Sequence, residues 1–324
     1  MKVYVNRKPK MGPWGGGAKT VNKLVDHLKA NGHTVVYQLQ EGIDILFCFD
    51  PRPNDYGESI NHMYTYRKVF PNAKIIQRVG DVGTHSKPEL TDLVRYCLDK
   101  SDHFIFPSAW AKGYVNFAGD NSSVIYNCPM KEFYKNRNES GYCPPVPRVV
   151  THHWSTNPKK GFDLYKKFEK YCKETNLFEF HYIGQLPNRV SFSGYTPPIS
   201  VESLTEVLPK YDIYLTASEE EAGANHVLEG IACGCQIVCS SSGGTKEVAP
   251  GAIVVEEDPW DFKPTLLYEP PSLDFTRKRI PIIIQYLPLF EVLLKVFFRS
   301  STKVCVNNLR VIAVQCPVNT TRST

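Results

Sequence analysis

Short apolar runs rich in β-branched and aromatic residues alternate with longer amphipathic stretches almost from the first residue. The former read as buried strands and the latter as helices with one apolar face. "KVYV", a helix over about 18–31, "HTVVYQL" and "DILFCF" form the first stretch. "AKIIQRV", a helix over 88–99, "HFIFPS", a helix over 109–117 and "SSVIYN" carry the pattern to residue 127. Strand–helix alternation of this kind predicts a parallel sheet covered on both faces, a Rossmann-like unit.

A turn-rich passage, "KNRNESGYCPPVP" (135–147), then reads as a linker. The alternation restarts with "RVVTHHW" and a helix over 161–175, with Phe162, Leu164, Tyr165 and Phe168 on one side. "FEFHYIG" and "RVSFSG" follow as strands, then "SVESLTEVLPK", "DIYLTAS", a helix over 224–233, "QIVCS", a turn at Gly243 and Gly244, and "AIVV". The expected organisation is an α/β chain of two Rossmann-like domains facing each other across a cleft, at 1–134 and 148–262, with an irregular tail at 263–324. In that tail, residues 280–298 have the length of a membrane span, but Pro281, Pro288, Glu291 and Lys295 interrupt them. Glu291 and Lys295 stand four apart, which fits an amphipathic helix lying on domain surface or on a membrane, with Arg277, Lys278 and Arg279 at its start.

Composition narrows the function classes. At 324 residues the chain is about twice a usual domain, and 42% hydrophobic with 22% charged residues excludes a disordered chain. The 21 glycines and 24 prolines follow no period, which excludes collagen and repeat arrays. The net charge of +5 is concentrated in the tail: its nine basic and three acidic residues leave 29 basic against 30 acidic before it. A neutral body lacks the basic stripe of a nucleic-acid binder, so no nucleic-acid partner is expected. The ten cysteines sit mostly in apolar runs of a chain too long to need a disulfide framework. Reduced thiols, and a start that runs directly into a strand with no secretory leader, lead to the expectation of a cytoplasmic protein.

Three loops carry candidate chemistry. In "GPWGGGAKT", Gly15, Gly16 and Gly17 join the first strand to the first helix. They either let backbone amides approach a phosphate or sugar, or make a plain tight turn, and their spacing is not that of a dinucleotide site. In "HHWSTNPKKGFDLY", Lys159, Lys160 and Gly161 open a helix, where an ammonium beside a helix N-terminus suits a diphosphate, although two solvated lysines would look the same. In "SEEEAGANHVLEGIACG", Glu221 and Glu229 flank the amides of Gly223, Ala224 and Asn225. Those amides can cradle an anion while the carboxylates accept from a vicinal diol. The alternative is an acidic surface loop, against which the apolar Val227, Leu228, Ile231 and Ala232 argue. His226, Cys233, Cys235 and Cys239 lack paired zinc-site spacing and read as core residues, so no metal is expected.

The E-x7-E spacing, the following "SSSGGTKEV", "STNPKKGFDLY" and the early "GGGA" loop together resemble the retaining nucleotide-sugar glycosyltransferases of family 4, of GT-B architecture, over about 1–255. The resemblance implies a hexosyltransferase that moves a sugar from a nucleoside diphosphate sugar to the hydroxyl of a glycan, lipid-linked or small-molecule acceptor, with no cofactor. It implies that Lys160 neutralises the donor diphosphate, Glu229 binds the ribose and Glu221 contacts the transferred sugar, while Gly16 and Gly17 face the phosphates and acceptor. An arginine commonly stands five residues before that lysine; here the position is Ser155, with Lys159 or Arg189 as substitutes. Asp81 and His85 in "RVGDVGTHS" either reach the sugar or acceptor from the opposite wall, as a similar residue does in the family, or serve structure alone. The family's C-terminal bracing helix is not recognisable in the tail, whose basic charge makes it a candidate for peripheral membrane contact. Rival readings are a catalytically silent nucleotide-sugar-binding protein and a sugar-nucleotide epimerase on the same fold; the glycine spacing disfavours a nicotinamide dehydrogenase.

Overall fold

The computed structural model describes residues 1–255, apart from 11, 13–15, 86 and 139–143. The expectations for Gly15 and for the tail, including 280–298, lie outside these residues.

The first domain is built from β1 (Lys2–Val5), α1 (Gly16–Ala30), β2 (Thr34–Val36), β3 (Ile45–Cys48), α2 (Ile60–Val69), β4 (Lys74–Arg78), α3 (Glu89–Tyr96), β5 (His103–Phe106), α4 (Ala109–Tyr114) and β6 (Ser122–Val124). Its strands run in parallel in the order β2-β1-β3-β4-β5-β6. Every residue of β3 is buried, as a strand covered by helices on both faces requires. Val21, Leu24, Val25 and Leu28 turn one face of α1 onto the sheet beside Phe47, Ile76 and Ile105. The helix α2 was not expected. Its buried residues, Ile60, Met63 and Tyr66, make a narrow stripe among polar neighbours, and such a stripe is a weak periodic signal.

The second domain comprises α5 (Glu132–Lys135), β7 (Arg148–His153), α6 (Phe162–Thr175), β8 (Glu179–Gly184), β9 (Tyr195–Thr196), α7 (Val201–Val207), β10 (Ile213–Thr216), α8 (Asn225–Cys233), β11 (Gln236–Ser240), α9 (Thr245–Val248) and β12 (Ile253–Val255). Its parallel order is β12-β11-β10-β7-β8-β9. The side chain of Phe133 in α5 packs with Leu204, Val227 and Leu228, so the chain has crossed to the second core before residue 134. The strand expected over 189–194 is absent. Phe192 instead stacks on Tyr182 at 5.1 Å between centroids, anchoring that segment by its side chain, and pairing with β8 begins only at Tyr195.

In each sheet the chain order reverses once, between β1 and β3 and between β7 and β10. Crevices for ligands open beyond the carboxyl ends of strands at such points. The domains meet there. Thr84 Oγ1 donates to the Glu220 carbonyl at 2.8 Å, and Ser108 Oγ to that of Ala222 at 2.7 Å. Glu247 accepts the Ala109 and Trp110 amides across the boundary, each at 2.7 Å.

Candidate active site

Between the domains lies a cavity of about 170 Å³ lined by Gly16 and Lys19 from the first domain and, from the second, by His152–Ser155, Lys160, Glu221, Gly223, Asn225, His226 and Glu229. Two loops bring Lys160 and Glu221 together. Asn157 caps the single 3-10 turn Pro158–Lys160 by accepting the Lys159 amide at 2.9 Å. Gly161 then adopts φ 82°, where a Cβ would lie 2.4 Å from that of Ala217, so glycine alone lets this turn pack against the end of β10. The Glu221 loop is held from behind: Ser242 Oγ accepts the Glu220 amide at 2.8 Å, and the Gly244 amide donates to the Glu221 carbonyl at 2.8 Å. A Cβ on Gly243 would stand 2.5 Å from the Glu221 nitrogen and one on Gly244 2.5 Å from Ser108 Oγ, which accounts for the glycine pair in that turn.

Four charges face the cavity as two pairs. Lys160 Nζ bonds Glu221 Oε1 within one domain, and Lys19 Nζ reaches across to Glu229 Oε1 at 2.5 Å. Glu229 is 3% exposed, which rules out the solvated surface loop. Burial alone would raise both carboxyls. The Lys160 ammonium holds Glu221 down at about 2, and the Lys19 ammonium with the His152 hydrogen bond holds Glu229 at about 2. The helices α1 and α8 both begin at the cavity with no acidic residue in the first turn, so their positive ends face it uncompensated. They adjoin closely, since a Cβ on Gly16 would fall 1.9 Å from Asn225 Nδ2.

Beneath these pairs lies a neutral layer. His152 Nε2 lies 2.9 Å from Glu229 Oε2 and its Nδ1 2.9 Å from the Tyr214 hydroxyl, which itself accepts the His152 amide. These partners assign the Nε2–H tautomer, which donates to the carboxylate. His153 meets Tyr165 OH at 2.9 Å, and His226 meets Thr216 Oγ1 at 3.0 Å. Burial lowers all three histidines, His226 to about 3, so they are uncharged at neutral pH.

Of the residues singled out from the sequence, Gly16, Ser155, Lys160, Glu221, Gly223, Asn225 and Glu229 line the cavity. Ala224 is fully buried as the residue preceding α8, and Gly17 faces open space in the first turn of α1. Asp81 turns to its own loop, accepting the Gly83 amide at 2.8 Å, while His85 bonds the Glu219 carbonyl across the boundary at 2.7 Å. Lys159 pairs with Glu220, and Arg189 is exposed. Cys233 and Cys235 donate to backbone carbonyls in the core, and burial pushes the Cys235 thiol up to about 12. Sequence reasoning missed Lys19; one turn along α1, nothing in its neighbours marks it. Among the described residues no helix is long and apolar enough to cross a membrane.

Comparison with known proteins bears on the fold. The structure resembles the glycosyltransferase AviGT4 of avilamycin A biosynthesis, at 15% identity and a TM-score of 0.60 over 91% of this chain and 98% of that one. It also resembles sucrose-phosphate synthase from Thermosynechococcus elongatus, at 13% identity and 0.55 over 91% and 92%, and HepE of Anabaena in complex with UDP-glucose, at 13% and 0.52 over 76% and 82%. No curated protein matches by sequence. Residues 162–267 match the family described as glycosyl transferases group 1. The chain therefore has the GT-B fold, and within it residues 162–267 are similar to the group 1 glycosyltransferases.

Proposed function

We propose that the cavity is the donor site of a retaining, metal-independent glycosyltransferase of family 4 type, which transfers a hexosyl group from a nucleoside diphosphate sugar to an acceptor hydroxyl. The observation that carries the reading is the meeting of Lys160, Glu221 and Glu229 with two helix N-termini in one cavity at the carboxyl ends of both sheets. Lys160 binds the diphosphate, Glu229 the ribose diol and Glu221 the transferred sugar.

The bond from the anomeric carbon to the phosphate oxygen breaks, and its electron pair leaves with the diphosphate. The acceptor oxygen attacks the same face of the sugar and passes its proton to the departing phosphate. The chemical demand is stabilisation of the anion that leaves, and preorganised ammonium groups and helix amides meet it without reorganisation. Turnover is expected to persist in EDTA.

Thermal shifts with UDP, ADP, GDP and TDP and their sugars, followed by nucleotide release with and without acceptor sugars, test the reading. Donor bound but never hydrolysed or transferred would leave a nucleotide-sugar-binding protein; no shift with any nucleotide would refute both.

A further inference from the structure

Each acidic residue of the cavity is held by an ammonium, but the two ammonium groups come from opposite domains. Lys19 stands one turn into α1, whose first residue lies against the first residue of α8. Its side chain is 13% exposed and opens on the same cavity as Lys160. Ser155, which also lines that cavity, brings no charge. The diphosphate of a nucleoside diphosphate sugar placed between the helix ends would carry one negative charge on each phosphate against the single charge of Glu229. Glu229 does not depend on Lys19 alone, because His152 donates to its other oxygen, Oε2.

We propose that Lys19 is the second cation of the diphosphate site: on donor entry its ammonium leaves Glu229 Oε1 for the phosphates, and the freed oxygen accepts a ribose hydroxyl. This deepens the proposed function and rests on it. Glu229 stays paired through His152 during the exchange. With Lys160 on one domain and Lys19 on the other, a diphosphate gripped by both ties the domains together, so donor binding and cleft closure are one event.

The test compares UDP with UMP by calorimetry in the full chain. K19Q is the primary variant because glutamine can still donate to Glu229 while removing the charge; K19M removes both. K19Q is expected to weaken UDP about 10- to 100-fold, the usual size of a lost charge-assisted contact, and UMP by less than about threefold. K19R should keep the preference for UDP, and S155R in the K19Q background should recover part of it. A K19Q variant that binds both nucleotides as the wild type does, or loses both by one factor, overturns the proposal, because Lys19 would then be only a counter-ion of Glu229. If the wild type binds none of UDP, ADP, GDP and TDP, the donor-site reading itself fails.

Discussion

Replacing Lys160 with methionine separates stability from catalysis. Lys160 and Glu221 are 13% and 14% exposed, so the substitution strands a carboxylate that burial disfavours and that is held at about 2 largely by the lost ammonium. Removing one partner of a buried pair costs about 3–5 kcal/mol, and the low end applies where water still reaches the pair. The fold should survive such a loss. For turnover, one preorganised cation at the leaving diphosphate is worth about 3–4 kcal/mol, or about 100- to 1,000-fold in kcat. The double variant K160M/E221Q removes the stranded charge as well. It should regain most of the stability in urea unfolding, to within about 1 kcal/mol of the wild type, while nucleotide release stays low. Release by K160M within about threefold of the wild type would refute the assigned role. A double variant as unstable as the single one would refute the electrostatic account of the pair.

Acid should weaken the protein well before its carboxylates titrate. His226 has a folded value of about 3 against 6.5 unfolded, so below pH 6.5 the unfolded chain binds the extra proton and stability falls as pH falls. The slope is about 1.4 kcal/mol per pH unit, or about 2 kcal/mol between pH 7 and 5 from this residue, with His152 and His153 adding in the same direction. Glu221 and Glu229, at about 2, contribute stability that is lost only as pH drops from about 4.5 towards 2. Equal urea midpoints at pH 7 and 5 would contradict this. Gly230→Ala puts a Cβ 2.7 Å from Tyr214 Cγ and should cost about 1–3 kcal/mol while shifting α8, read as a lower Tm together with weaker nucleotide binding. Ser108→Ala removes both the cap of α4 and a hydrogen bond across the domain boundary, so it should lose about 1–2 kcal/mol and raise the KM for donor; an unchanged KM would show that this contact plays no part in closure.

The local pattern carried much of this molecule. The strands at Lys2–Val5, Ile45–Cys48 and Gln236–Ser240 and the helix Phe162–Thr175 were legible because burial of a strand or of one helix face imposes its period on consecutive residues. Glu221 and Glu229 were legible because only eight positions separate them, although Glu221 lies in the loop five residues beyond the end of β10 at Thr216 rather than at a strand end. Other features have no local signature. The cation paired with Glu229 Oε1 is Lys19, 210 positions away, and the packing of the domains selects it. Phe133 joins the second core although it follows the strands of the first, and Phe192 becomes an anchor where a ladder was expected, because side-chain packing outweighs strand propensity there. The neutrality of three adjacent histidines is likewise tertiary, since the burial that lowers them exists only once β7 and α8, far apart in the chain, pack together. Sequence neighbours set the elements and the spacing of the acidic pair; which charges meet in the cavity was decided by contacts between residues far apart in the chain.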